Sequence, residues 1–274
     1  MIKHILFFAL CLGGVISYSQ TANDELIQQL YKSDQAVRKE LHEIINSEDQ
    51  TNLYKKLDEM NKIDAVNQKI AFPLLDKYLE NEIELSNESI KGLYYILQHS
   101  EFHEKYKPFV EIAFQKKAIM PNEYAQFIDR LLVRKKQTQL YGLQSKYWPE
   151  NQDMFLFPLD KNYAANRKKI GLEMADYSNY KDEYVPVLLK KNEFAVFGHV
   201  KNKNANPIEN VEVFYNNKKI AISNKKGFVA AKIKPETNKQ IQLIYKKDGK
   251  LLFEETFDIK DNNWQLLTPG YIIK

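Results

Sequence analysis

The sequence predicts a multidomain protein with an α-helical, bundle-like domain followed by a seven-stranded antiparallel β-sandwich. Two observations lead to this fold class. From residue 21 to about residue 191, apolar residues recur at three- and four-residue steps, as on the buried face of amphipathic helices. From about Asn192, short runs of alternating apolar and polar residues are separated by turn signals, which is typical of strands. A length of 274 residues is sufficient for two such domains.

The composition excludes several classes of protein. Hydrophobic residues make up 44% of the chain, too many for a disordered protein, and nine glycines are too few for collagen. Because Cys11 is the single cysteine, we expect no disulfide framework and no multi-cysteine metal site. Residues 192–274 carry 14 lysines against 9 acidic residues, a basic bias too weak to favour nucleic acid as a partner.

Residues 1–19 are predicted to be a signal peptide. Lys3 supplies a positive charge, residues 5–16 are apolar, and Ser17 and Ser19 place small side chains ahead of a cut before Gln20. As a helix, twelve residues span about 18 Å, short of a bilayer core of about 30 Å, so we expect no stable membrane span in the mature chain. We expect export to the periplasm or the cell exterior. The alternatives are a membrane anchor and a lipoprotein lipidated on Cys11.

Residues 20–191 form the predicted helical domain. We expect Pro73 to end or kink the second helix, and Ser86 to cap the third. Pro108 and Pro121 are suited to open the next two helices, and Gly171 to follow the last. The predicted apolar stripes are Leu26, Ile27, Leu30, Tyr31, Val37, Leu41, Ile44 and Ile45 in the first helix, and Leu53, Leu57, Met60, Ile63, Val66 and Ile70 in the second.

The remainder of the chain divides into a loop and the predicted β-sandwich. After Gln137 the helical periodicity fades, and Trp148-Pro149 and Phe157-Pro158 indicate an ordered loop before a short helix at 163–170. The β-sandwich comprises residues 192–274. Its predicted strands are residues 194–200, 211–215, 219–223, 228–233, 240–245, 251–259 and 264–272.

The C-terminal domain carries short motifs in a recognisable order. They are Gly198-His199-Val200, Asn206-Pro207-Ile208, Val211-Glu212-Val213, and Ser223-Asn224 leading to Gly227-Phe228. Over about 70 residues this part resembles the carboxypeptidase-regulatory-like, transthyretin-like β-sandwich modules, although Asn210 stands where that family usually has glycine. The resemblance implies an accessory module without an active site.

A second resemblance covers roughly 150 residues of the helical part. The matching motifs are Asp34-Gln35 with Arg38, Asp64 with Asn67, Gln98-His99, Asp129-Arg130, Gln139-x-Tyr141-Gly142-x-Gln144, and Arg167 followed by Gly171-Leu172 and Tyr177. In this order they resemble a bacterial family catalogued as domain of unknown function 6624. Leu143 and Ala164 depart from the threonine and aspartate usual there. The resemblance implies a fold and a candidate site, but no reaction.

Seven polar residues of the helical domain form the predicted site. His99 and Asp129 are the candidate acid and base. Arginine and amide side chains suit a carboxylate, phosphate or peptide group, so we expect the others to bind a ligand in the same cleft. These others are Arg130, Gln139, Tyr141, Gln144 and Arg167. The alternative is structural: His99 stabilises a helix end, and Asp129 and Arg130 tie the 139–144 loop to the bundle.

Three functions are compatible with these residues. The first is an exported binding or interaction protein with a polar cleft in the helical domain, an accessory sandwich, and an unknown small-molecule, peptide or envelope partner. The second is a hydrolase or lyase that uses His99 with Asp129, and the third is a structural envelope component. No cofactor motif is found. His99 and His103 are four residues apart but lack the His-Glu-x-x-His order, so no metal is expected.

Overall fold

The computed structural model describes residues 2–47, 51–148, 153–174, 188–235, 240–259 and 262–267. The chain separates into two compact units, Met1–Tyr124 and Ala125–Lys274. It combines helices with mixed sheets, so the predicted α plus β composition is confirmed. The predicted domain border near residue 191 stays a prediction, and the division between the compact units falls earlier, inside a helix.

The first unit is helical. Within it α1 packs against α2 and α3, and α3 packs against α4. Ser86 is the predicted cap of α3, since its side chain accepts a hydrogen bond of 3.2 Å from the backbone N–H of Ser89. The helices are α1 (Ile2–Ile45), α2 (Leu53–Leu79), α3 (Asn87–Leu97), α4 (Lys107–Gln115) and α5 (Pro121–Arg134), the last of which continues into the second unit.

The buried face of α1 follows most of the predicted stripe. Ile27, Leu30, Val37 and Leu41 are buried, whereas Ile45 at the end of the helix is 49% exposed. A stripe at this spacing places one side of a helix against its neighbours. Among the described residues, no helix combines the length and the apolar character needed to cross a membrane.

Pro73 does not end α2. The helix begins at Leu53, continues past Pro73 and ends at Leu79. Proline lacks the N–H that would bond the carbonyl four residues earlier, here that of Lys69. Both residues are exposed, so water can bind that carbonyl and the helix tolerates the proline.

The second half of α2 buries a different face from the predicted one. Val66 is 59% exposed and Ile70 is 37% exposed, whereas Asn67 and Ala71 are buried. Asn67 is tolerated in the interior because its Nδ2 donates to the carbonyl of Leu30 at 3.2 Å. The buried face of α2 is therefore shifted by one residue from the predicted stripe. Apolar periodicity cannot reveal this shift, because one of the buried residues is polar.

The second unit contains the end of α5, one short helix and eleven strands among its described residues. The four-stranded sheet has the order β10-β9-β6-β7, and the three-stranded sheet has the order β11-β5-β8. Two further pairs are β1-β2 and β3-β4. The elements are β1 (Ser145–Trp148), β2 (Asp153–Leu156), β3 (Leu159–Asp160), α6 (Tyr163–Lys169), β4 (Leu188–Leu189), β5 (Phe194–His199), β6 (Glu212–Tyr215), β7 (Lys218–Ile222), β8 (Phe228–Ile233), β9 (Gln240–Lys247), β10 (Lys250–Asp258) and β11 (Trp264–Leu267).

The predicted seven-stranded antiparallel sandwich is not confirmed. β11 pairs with β5 in parallel, and the long connection that parallel pairing requires contains β6 to β10. The predicted ordered loop contains the antiparallel pair β1-β2 and the strand β3, which are too short for periodicity to reveal. Of the predicted strand 264–272, residues 268–272 lie outside the described part of the chain, as do Pro149 and Tyr177.

Two apolar clusters hold the second unit together. The larger draws on both main sheets and includes the fully buried Val196, Val213, Ile241 and Leu243. In the smaller, Leu189, Ala195, Phe197, Phe228 and Trp264 are joined by the half-buried Val133, Phe157 and Leu266. The α5 end and the segment after it therefore pack on the three-stranded sheet.

Gly198 of β5 lets β11 approach closely. A Cβ atom at this position would lie 2.8 Å from the backbone oxygen of Leu267 and 2.9 Å from its Cβ. Any other residue would push the two strands apart, so the parallel pairing depends on glycine here.

Candidate functional site

Asp129 anchors the 139–144 loop to α5. Its side chain is fully buried, and its carboxylate accepts backbone hydrogen bonds from Leu140 at 2.8 Å, Tyr141 at 3.0 Å and Leu143 at 2.9 Å. Burial raises the pKa of Asp129 to about 6, although these backbone N–H groups act in the opposite direction. Gly142 has a φ of 76°, the left-handed conformation that lets the loop wrap around one carboxylate.

Gln139 closes the same loop from its start. It is fully buried; its Oε1 accepts from the backbone N–H of Gln144 at 2.6 Å, and its Nε2 donates to the carbonyls of Gln144 at 2.9 Å and Phe157 at 2.8 Å. Its backbone forms a bridge with Leu159, and its carbonyl accepts from the N–H of Asp160 at 2.8 Å. Gln139 therefore joins the loop to β3.

Arg167 of α6 supports the loop from a third direction. The guanidinium is buried, and it donates from Nη1 to the carbonyl of Tyr141 at 2.7 Å and from Nε to that of Glu173 at 2.7 Å. We call Asp129, Gln139, Arg167 and the backbone of residues 139–144 the loop network. Gln144 adds a side-chain bond of 3.3 Å from Nε2 to the carbonyl of Gln126.

The remaining predicted site residues lie outside the loop network. Arg130 is half-buried on α5. His99 belongs to the first unit, where it follows α3, is half-buried, and accepts on its carbonyl from Nε2 of Gln68 at 3.4 Å. Its convergence with the other six residues stays a prediction. His103 is buried, with Nε2 3.1 Å from the carbonyl oxygen of Gln98.

The loop network holds the backbone of residues 139–144 in place. The side-chain hydrogen bonds of Asp129, Gln139 and Arg167 described above join these residues to backbone groups, and all three side chains are buried. Buried polar groups that are bonded in this way fix the backbone in one conformation. Within the described part of the chain, no group of three or more histidine, cysteine, aspartate or glutamate side chains is placed to hold a metal ion.

Beside the loop network, the second unit contains a cleft of about 660 Å³, which we call the polar cleft. It lies where the β3–α6 turn, the β4–β5 turn and the segment before β11 meet. Its lining residues are Thr138, Asp160, Lys161, Asn162, Leu189, Lys190, Lys191, Asn192, Glu193, Phe194, Pro235, Ile259, Asn262 and Asn263.

The loop network fixes one wall of the polar cleft. Thr138 immediately precedes Gln139, and the backbone N–H of Asp160 donates to the carbonyl of Gln139. The backbone N–H of Thr138 also donates to Oδ1 of Asn263 at 3.4 Å, and the N–H of Asn263 donates to the carbonyl of Lys136 at 2.8 Å. Several predicted site residues therefore position the cleft wall instead of lining the cleft.

Sequence reasoning missed the residues of the polar cleft. Nine of the fourteen lie in three polar turns, residues 160–162, 190–193 and 262–263, each of which is an ordinary loop signal. The parallel pair β3-β4 and the bond from the N–H of Lys161 to the carbonyl of Leu189, 3.0 Å long, bring the first two turns together. No local sequence pattern predicts the pairing of β3 with β4.

The first unit holds a separate polar network between α1 and α2. Arg38 donates from Nη2 to Asp34 at 3.1 Å and to Asp64 at 2.6 Å, and Asp34 is buried. Burial raises the pKa of Asp64, and the nearby Arg38 acts to lower it. This charged group ties the two helices together. The sequence singled it out only through the family resemblance.

Comparisons of the chain with protein-family models, with curated proteins and with solved structures find no match. The two resemblances therefore remain predictions, and the function has to be inferred from the geometry of the chain itself.

Proposed function

We propose that this is an exported binding protein whose second unit holds a small polar ligand in the polar cleft. The signal-peptide pattern of residues 1–19 supports export. In this proposal, the four- and three-stranded sheets are the two layers of the predicted β-sandwich. The sandwich then contributes to the binding site, because Phe194 begins β5 and Ile259 follows β10.

The cleft itself is the observation that carries the proposal. A volume of about 660 Å³ is within the range of roughly 300–1,000 Å³ that is usual for small-molecule sites. Most such sites are lined by apolar side chains with a few polar groups that fix orientation, whereas the lining of this cleft is mostly polar, which suits a polar ligand. Here Leu189 and Phe194 are the buried apolar residues, and lysine, asparagine and threonine side chains surround them.

Binding is better supported than the catalytic alternative. A general base needs a carboxylate that can reach the substrate proton. Asp129 is fully buried, and both of its oxygens already accept backbone N–H groups of the loop network. The hydrolase or lyase that pairs Asp129 with His99 would need that carboxylate to leave the loop. The structural alternative predicts a protein that binds no small ligand at all.

A blocked-cleft variant tests the proposal. We expect a panel of metabolites and peptidoglycan fragments to contain a ligand that raises the melting temperature, since a ligand at 100 times its Kd stabilises by about 2.7 kcal/mol. Asn262→Trp places a large ring in the cleft and is expected to abolish this shift. Differential scanning fluorimetry gives the shift, and calorimetric titration gives the Kd.

Asn204→Trp is the matched control, because Asn204 is exposed in a turn and does not line the cleft. It is expected to retain the ligand-induced shift. A ligand that still stabilises Asn262→Trp would contradict binding in the polar cleft. A panel without any stabilising compound would favour the structural role instead.

A further inference from the structure

The polar cleft carries an excess of positive charge. Lys161, Lys190 and Lys191 line it and are exposed, and among the described residues none of them forms an ion pair with an acidic side chain. The lining contains two carboxylates, those of Asp160 and Glu193, and therefore fewer negative than positive charges. The formal charge of the lining is therefore positive.

Both of these carboxylates are engaged by the backbone of their own turns. Oδ1 of Asp160 accepts from the N–H of Asn162 at 2.7 Å, and Oε2 of Glu193 accepts from the N–H of Lys190 at 2.8 Å. The Lys190 N–H and the charges of nearby lysines, Lys232 among them, hold the pKa of Glu193 below its usual value. The charge of Lys190 also acts on Glu193, but within the described residues no carboxylate forms an ion pair with any of the three lysines that line the cleft, so these ammonium groups can contact an anion from outside.

The rest of the lining suits a ligand that carries several hydroxyl groups and one apolar face. Asn162, Asn192 and Asn262 offer amide donors and acceptors, and Thr138 adds a hydroxyl. Leu189 and Phe194 are the buried apolar residues of the lining. Amides suit hydroxyl groups, and apolar side chains suit the C–H face of a sugar ring.

From this combination we infer that the ligand is a sugar acid, a hydroxyl-rich ring whose carboxylate lies against Lys161, Lys190 and Lys191. The inference rests on the proposed function, because it names the ligand class of the same cleft. The carboxylate supplies the negative charge that pairs with the three lysines. The ring fills the amide-lined part of the cleft.

NMR titration of the ¹⁵N-labelled full chain tests this with three probes: D-glucuronate, D-glucose and acetate. Glucuronate differs from glucose by a carboxylate in place of a hydroxymethyl group, and acetate carries the carboxylate without the ring. We expect glucuronate to bind about ten-fold more tightly than either, and to lose most of this advantage in 0.5 M salt.

The triple variant Lys161→Gln, Lys190→Gln and Lys191→Gln removes the proposed anion contacts. It is expected to weaken glucuronate binding at least five-fold and to leave glucose binding unchanged. The control is Lys218→Gln, Lys225→Gln and Lys250→Gln, which removes the same charge from exposed lysines outside the cleft. This control is expected to retain glucuronate affinity.

The outcomes separate this inference from the proposed function. Glucose that binds as tightly as glucuronate, or glucuronate binding unchanged in the cleft variant, overturns the anionic class while ligand binding in the cleft stands. Acetate that binds as tightly as glucuronate overturns the sugar ring. If none of the probes binds, the sugar-acid assignment fails. The blocked-cleft variant and the panel then decide whether the cleft binds ligands at all.

Discussion

At the scale of single residues, Asp129 shows how one buried carboxylate organises a loop. Three backbone N–H groups of residues 140–143 converge on its two oxygens. The donor of Tyr141 is buried and those of Leu140 and Leu143 are half-buried, and a buried donor left without a partner costs about 1–3 kcal/mol. Asp129 therefore stabilises the loop conformation on which Thr138 and the cleft wall depend.

We predict that Asp129→Asn lowers the free energy of unfolding at pH 7 by about 1–3 kcal/mol, because the new amide NH₂ faces a backbone donor. The pKa of Asp129 is raised from 3.8 to about 6. A raised carboxyl pKa contributes stability that is present below the unfolded value and is lost as pH rises through the folded value. The advantage of wild type over the variant is thus expected to fall between about pH 4 and pH 6, measured by urea unfolding.

Asp58→Asn supplies the control for this pH series, since Asp58 is exposed on α2 and pairs with Lys62 at the surface. It is expected to change stability by less than about 0.5 kcal/mol. A wild-type advantage that grows as pH rises would contradict the raised pKa. An Asp129→Asn variant as stable as wild type would contradict the anchoring role.

At the scale of elements, α2 contains a proline that interrupts its backbone hydrogen bonds and that a single substitution can remove. Pro73 is exposed inside the helix and leaves the carbonyl of Lys69 without its helical donor. We predict that Pro73→Ala raises the free energy of unfolding by about 1–2 kcal/mol. Restored helical bonding outweighs the added freedom of the unfolded chain. Chemical denaturation with Lys77→Ala as the control checks this, and a destabilised Pro73→Ala protein would contradict it.

The elements that sequence reasoning predicted correctly carry local signals. The side chain of Ser86 caps α3, Pro121 begins α5, and Gly171 has the positive φ of 79° that follows a helix end. The buried face of α2 and the strands β1 to β4 carry no such signal. They are set by partners distant in sequence, such as Leu30 for Asn67.

At the scale of the second unit, the segment after α5 and the three-stranded sheet share one core. The ring of Phe157 lies 5.2 Å from that of Trp264 and 6.5 Å from that of Phe197, between ring centroids. We predict that Phe157→Ala lowers stability by about 2–3 kcal/mol and reduces hydrogen-exchange protection in both β5 and β11. Leu251→Ala, at a 56% exposed position, is the control. Changes confined to residues 153–160 would contradict a shared core.

Tertiary contacts within the second unit explain why the candidate site could be predicted only in part from the sequence. The motif Gln139-x-Tyr141-Gly142-x-Gln144 lies on one short segment, so its polar residues could be recognised together. Their role as supports could not, because it depends on where Asp129 and Arg167 meet the loop backbone. The polar cleft escaped recognition altogether, since its turns are joined only by tertiary pairing.

β11 also governs when the second unit can be completed during synthesis. Its Trp264 donates to the carbonyl of Gln137, 127 positions earlier, and Gln265 accepts from Lys136 across 129 positions. Contacts this distant form slowly, because a long loop must close before they stabilise the fold. The cleft wall at Thr138 can therefore be completed only after the segment from Asn263 to Leu267 has been synthesised.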